Sequence, residues 1–164
     1  MKLAAVFIVM LAAAQGTARP TQPNACDVLT AADIAAVQGE TLTNAKHSTR
    51  GTTSQCFYQV PSFVNSISVD LIREGREYWN EHFENEEREE REAREAKEEG
   101  ETEHPPRKVR GVGNEAFWVG GPLTGSLYVR KGDAVLRVSV GGKGSDEEKM
   151  EKSKALAKKA LKRL

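Results

Sequence analysis

An α+β domain built on an antiparallel sheet of about five strands is what the 164-residue chain predicts, and three features carry the prediction. Two segments bear helix-capping signatures, at Thr30/Asp33 and Ser145/Glu148. Five segments enrich or alternate in β-formers: Gln55 to Val60, Ser66 to Leu71, Glu115 to Val119, Gly125 to Arg130 and Ala134 to Val140. Between the two strand groups lies a long charged stretch with helical spacing. The element order reads α-β-β-α-β-β-β-α. The 24 basic and 24 acidic residues balance, which excludes the global basic field of a general nucleic-acid binder. With 38% hydrophobic residues the chain is also too polar for a multi-span membrane protein.

The amino terminus has the build of a secretory signal peptide. Met1-Lys2 supplies the positive end, Leu3 to Ala14 an apolar run of twelve, and Gly16 and Ala18 the small-x-small cleavage pattern, with cleavage after Ala14 as the rival. The run is too short to span a bilayer of about 30 Å. Residues 1–18 are therefore set apart from the fold, residues 19–25, with Pro20 and Pro23, read as an extended arm, and residues 26–164 read as a single domain. The expected location is periplasmic or secreted, with no stable membrane anchor after cleavage. Cys26 lies several polar residues beyond the apolar run, which does not suit a lipoprotein anchor.

Export gives the two cysteines a meaning. Cys26 and Cys56 pass through an oxidising space where two thiols tend to pair, so a disulfide is expected in preference to two buried thiols or a metal pair. Closing a loop of about 30 residues is worth on the order of 3 to 4 kcal/mol in the chain-entropy model. Two Cys and three His with no close ligand spacing make a poor zinc set, and no metal or cofactor is expected.

The first helix runs from about Ala31 to Gln38. Thr30 caps it, Asp33 reciprocates, Leu29 and Ile34 stand at staple positions, and Gly39 ends it. Gln55 to Val60 and Ser66 to Leu71 form a hairpin, with Phe57, Val60, Ile67, Val69 and Leu71 on its buried face. From Arg73 to Glu103 there are 14 acidic and 6 basic side chains, read as a charged helix. Ile72, Tyr78, Trp79 and Phe83 make an apolar stripe at its start. Beyond them, Glu84–Arg88, Glu87–Arg91 and Glu90–Arg94 are favourable i,i+4 pairs on a solvated rod that His104-Pro105-Pro106 ends.

In the second half, Lys131-Gly132-Asp133 turns one strand into the next. Leu127 and Val129 face the core, as do Leu136, Val138 and Val140. The last helix extends from about Asp146 to Arg163, acidic at its start and basic at its end, as the macrodipole favours. Met150, Ala157, Ala160, Leu161 and Leu164 should pack on the sheet, and Lys152, Lys158, Lys159 and Lys162 should face outward.

No reaction is visible in these residues. Gly111-x-Gly113-x-x-Ala116 precedes a strand rather than joining strand to helix, so it is no dinucleotide fingerprint. Gly141 to Ser145 joins strand to helix, but Arg137 and Gly144 stand where a P-loop needs Gly and Ser/Thr. His47, His82 and His104 are isolated, and no nucleophile elbow exists. The charged stretch lacks the spacing of a calcium loop.

Cys26-Asp27-Val28-Leu29-Thr30, the second cysteine in Ser54-Gln55-Cys56-Phe57-Tyr58, and Gly111 to Trp118 resemble bacterial exported domains of unknown function that open C-x-L-L-T. The likeness spans about residues 25 to 163, with Val28 where Leu is common and the Glu/Arg stretch as an insertion. It implies an extracytoplasmic role of the lipoprotein or sensor kind. The function expected is a non-enzymatic binding module for a protein or envelope component, with Trp118 and Tyr128 as candidates for partner contact. Two other classes stand beside it: a small exported hydrolase whose residues converge only on folding, and an electrostatic inhibitor or scavenger using the acidic helix.

Overall fold

The computed structural model describes residues 23–84, 106–121 and 124–164. Ten elements follow in the order α1 (Ala31–Gln38), β1 (Asn44–Arg50), β2 (Thr53–Gln59), β3 (Ile67–Ile72), α2 (Gly75–Trp79), β4 (Arg107–Lys108), β5 (Glu115–Val119), β6 (Ser126–Lys131), β7 (Ala134–Val140) and α3 (Asp146–Ala160). Tight 3-10 turns occupy Ala25–Asp27 and Phe63–Asn65, and α2 continues into a wider turn at Asn80–Glu84. All seven strands join one sheet in the order β1-β2-β3-β7-β6-β5-β4, every pair antiparallel. Two meanders, β1–β3 and β4–β7, therefore meet at the β3–β7 seam.

The α+β class matches the sequence reading, but the sheet has seven strands rather than about five. The two extra strands are its edges. All seven residues of β1 are exposed, so Asn44–Arg50 shows no apolar alternation; its register with β2 comes instead from the tight turn at Gly51 and Thr52, where Gly51 holds φ +56°. Strand β4 is two exposed residues opposite Trp118 and Phe117. The order becomes α-β-β-β-α-β-β-β-β-α.

One face of the sheet is covered. Cys56, Tyr58, Ile67, Val69, Leu71, Ala116, Trp118, Leu127, Val129, Leu136, Val138 and Val140 point into a core closed by Ala25, Val28, Leu29 and Ile34 on one side and by α3 on the other. Phe57 is not among them: it alternates with buried Cys56 and Tyr58, so the same period that buries them turns it to the opposite face. The disulfide joins Cys26 to Cys56 with the Cα atoms 5.0 Å apart, tying the turn before α1 to β2. Beside it the Tyr58 hydroxyl donates to the Ala25 carbonyl at 2.9 Å, and burial pushes that phenol up to about 12.

The two longer helices, α1 and α3, start as their caps require. In α1, Thr30 Oγ1 accepts from the Asp33 amide at 3.2 Å while the Asp33 carboxylate accepts from the Thr30 amide at 3.0 Å, and Gly39 closes the helix at φ +72°. Ser145 and Glu148 do the same for α3. This last helix ends at Ala160, short of Arg163, and buries Met150, Ser153, Leu156, Ala157 and Ala160; Leu161 is partly buried and Leu164 lies beyond the helix, exposed. Two of its lysines turn toward α1 instead of away. Lys159 donates to Asp33 at 2.9 Å and Lys152 to Gln38 at 3.3 Å, because the sequence pattern shows which residues are apolar but not where the neighbouring helix lies.

Asp33 is the hub of that contact. Its carboxylate accepts from Lys159, from Arg163 at 2.9 Å and from both the amide and hydroxyl of Thr30. Burial alone would raise its pKa, yet these hydrogen bonds and the Arg163 charge outweigh burial and hold it well below the usual carboxylate range.

The charged helix is shorter at its start than its spacing implied. Ile72 ends β3 rather than opening a helix, and α2 begins at Gly75, whose amide donates to Asp133 at 2.9 Å. A Cβ there would lie 2.7 Å from the Val135 nitrogen, so only glycine lets α2 rest on β7. Trp79 and Phe83 are buried with Ile72 and Val135, which gathers most of the expected stripe from two elements. The remainder of the charged stretch from residue 85, its i,i+4 pairs, His104 and the signal segment fall outside the described residues.

Candidate functional site

The second face of the sheet is only partly roofed. Over β7, β6 and β5 it holds Trp79 and Phe83 of the α2 region, with Phe83 stacked on Phe117 at 5.1 Å and tilted on Tyr128 at 5.2 Å. Over β1, β2 and β3 no helix covers it among the described residues.

Register lines up one row of side chains across all seven strands on this face: Ser48, Gln55, Asp70, Arg137, Tyr128, Phe117 and Lys108. The Ser48 hydroxyl donates to Gln55 at 3.3 Å, the Gln55 amide to Asp70 at 2.8 Å, and Arg137 Nη1 to the other Asp70 oxygen at 2.8 Å. Arg137 also donates from Nε to Ser126 at 3.2 Å and lies over the Tyr128 ring at 5.8 Å. Lys108 sits over Phe117 at 5.9 Å. Asp70 is buried, whereas Arg137 keeps about a third of its side chain exposed, its guanidinium held by Asp70 and Ser126.

The next row carries Lys46, Phe57, Ser68, Ser139, Ser126 and Val119. Phe57 meets Phe63 at 5.7 Å, and Phe63 and Val64 are 66% and 68% exposed, the most of any large hydrophobic side chain described. At the far end Tyr78 stacks on Tyr128 at 6.4 Å and on His82 at 4.0 Å. Burial first, and then Tyr128 beside it, push the Tyr78 phenol up to about 12, so it remains a hydrogen-bond donor through ordinary pH. The surface thus offers a preorganised guanidinium, hydroxyls and an amide between two aromatic ends, which suits binding by contact rather than enclosure.

Other clusters are structural in character. His47 Nε2 lies 3.0 Å from Ser54 Oγ, but that serine is buried and accepts from the Ala25 amide at 3.0 Å, so it has no approach to a substrate. His82 pairs through Nδ1 with the Tyr78 carbonyl. Two open hollows of about 480 and 490 Å³ are lined by Glu74, Glu77 and Asp133 and by Val37, Lys149 and Lys152. Among the described residues no group of three or more His, Cys, Asp and Glu is placed to hold a metal ion, and no helix is long and apolar enough to cross a membrane.

The structure separates the two expected contact residues. Trp118 is fully buried on the helix side, its indole N–H donating to Asp146 at 2.8 Å and its ring so close to Gly125 that a Cβ there would lie 2.1 Å from Cζ2. Tyr128 is half-buried on the open face. Cys26 and Cys56 are joined as expected. The sequence reading passed over Arg137, Asp70, Tyr78, Phe63 and Val64 as contact residues. A signal was present, since β3 and β7 each carry a single charge, Asp70 and Arg137, in otherwise apolar or small sequences. No family model, no curated protein and no solved structure matches the chain.

Proposed function

We propose that the protein is a non-enzymatic exported binding module whose contact surface is the open face of the sheet, and that its partner is a protein or other component of the cell envelope. Export is supported by the Cys26–Cys56 disulfide, which persists in an oxidising compartment. The observation that carries the contact surface is the exposure of Phe63 and Val64 beside Phe57, next to the polar, hydrogen-bonded middle of that face. Apolar side chains grouped at the rim of a polar surface suit an interface core, with Arg137 and Tyr128 as the directional contacts.

The test is retention from an envelope extract at low and high salt, comparing the immobilised native protein with a Phe63→Ser/Val64→Ser variant. The reading expects a component held by the native protein at both salts and lost by the variant. Equal retention by both proteins, or none by either, contradicts it.

A further inference from the structure

The two edges of the sheet are unlike. At β4 an added strand would find two residues, and Arg107 is already engaged by Asp146 and Glu147 at 3.2 Å. At β1 it would find seven, every one exposed, with no strand on the outer side among the described residues. An edge of that length presents a row of backbone donors and acceptors to another chain.

Charge selects the chain. Strands β1 and β2 carry Lys46, His47 and Arg50 and no acidic residue, in a protein whose charges otherwise balance. Lys46 and Arg50 lie on the open face, about 13 Å apart at the strand rise of about 3.3 Å per residue, and form no ion pair among the described residues. Of the acids near β1, Asp70 is engaged by Gln55 and Arg137 and Glu40 by Ser62 and Asn65, while Asp27 belongs to the turn that closes the covered face, opposite Lys46 and Arg50. A second copy of this strand is a poor occupant. Antiparallel self-pairing centred on His47 would place Lys46 against Ser48 and Arg50 against Asn44, gathering four cations and two imidazoles with no acid.

We infer that β1 is the docking edge for an extended acidic polypeptide strand, which pairs with the Asn44–Arg50 backbone and sets carboxylates i and i+4 against Lys46 and Arg50. The inference rests on the binding-module reading and names the partner's chemistry. Backbone pairing distinguishes such a strand from a polyanion attracted by charge alone.

The test titrates the oxidised, nitrogen-15-labelled full chain with three eleven-residue peptides at 50 and 300 mM salt. One alternates Glu with Val and Thr, the second has Lys for Glu, and the third is the Glu peptide N-methylated at every second amide. A DNA duplex of matched charge is the fourth probe. The Glu peptide should shift the amides of Asn44–Arg50. Its affinity should fall at least tenfold on N-methylation and at least tenfold in a Lys46→Glu/Arg50→Glu variant that keeps the native thermal transition. The Lys peptide and the duplex should leave those amides unmoved. Absence of shifts in β1, equal binding of the methylated peptide or the duplex, or a sedimenting dimer lost in the same variant overturns the inference. A null here that leaves retention by Phe63 and Val64 intact removes the edge and spares the open face.

Discussion

The two faces of the sheet are built from the same strands by opposite means. On the helix side the side chains are apolar, and packing against α1 and α3 removes them from water. On the other side Ile72 and Val135 are buried under Trp79 and Phe83 at one end, and along the rest of the central strands Asp70, Arg137, Ser68 and Ser139 take their order chiefly from hydrogen bonds between neighbours in register. The contrast teaches that the part of a face left without a roof need not be loosely ordered. Asp70 and Arg137 satisfy one another, and the same guanidinium lies over the half-buried Tyr128 ring.

Truncating one aromatic on each face gives the largest difference. Trp118→Ala should cost about 3 to 5 kcal/mol, since it opens a cavity and leaves Asp146 without its indole donor. Tyr128→Ala, half-buried, should cost about 1 to 2 kcal/mol. Chemical denaturation of the two variants checks the ordering, and similar losses would mean that the faces are equally packed.

Asp33 sharpens the contrast through pH. Its pKa is held below the unfolded value, so its contribution is complete above the unfolded carboxylate pKa and fades as pH falls through and below it. Asp33→Asn should therefore lose about 2 to 3 kcal/mol near pH 7, a gap that narrows below about pH 4. Thermal unfolding of both proteins between pH 2 and 8 measures it; a gap constant with pH would remove the carboxylate's ionisation as the cause.

The smallest effect falls on the exposed pair. Phe63→Ser/Val64→Ser should change stability by no more than about 0.5 kcal/mol, because neither side chain is withdrawn from water. A larger loss in the same unfolding assay would assign the pair to the core and withdraw it from the contact surface.

The covered face was largely legible in the sequence because its signals are local. The period-2 runs in β3, β6 and β7 and the two capping boxes each lie within a few residues, and each matches the structure. Strand β1 was illegible for the complementary reason: an edge strand exposed along its whole length has no apolar period to read. Phe57 was placed on the wrong face because its hydrophobicity was weighed above its parity with Cys56. The open face depends on partners far apart in the chain, such as Asp70 with Arg137 and Tyr78 with Tyr128. Only the β3–β7 seam and the placement of α2 bring them together, and neither is written in local spacing.

Hydroxyl-radical footprinting of the oxidised protein, alone and in envelope extract, tests the division between faces most directly. In the free protein Phe63 and Tyr128 should label and Trp118 and Tyr58 should not; in the extract the labelling of Phe63 and Tyr128 should fall while Leu164 is unchanged. Labelling of Trp118 to the level of Phe63, or protection confined to α1 and α3 with Phe63 still reactive, would contradict the account.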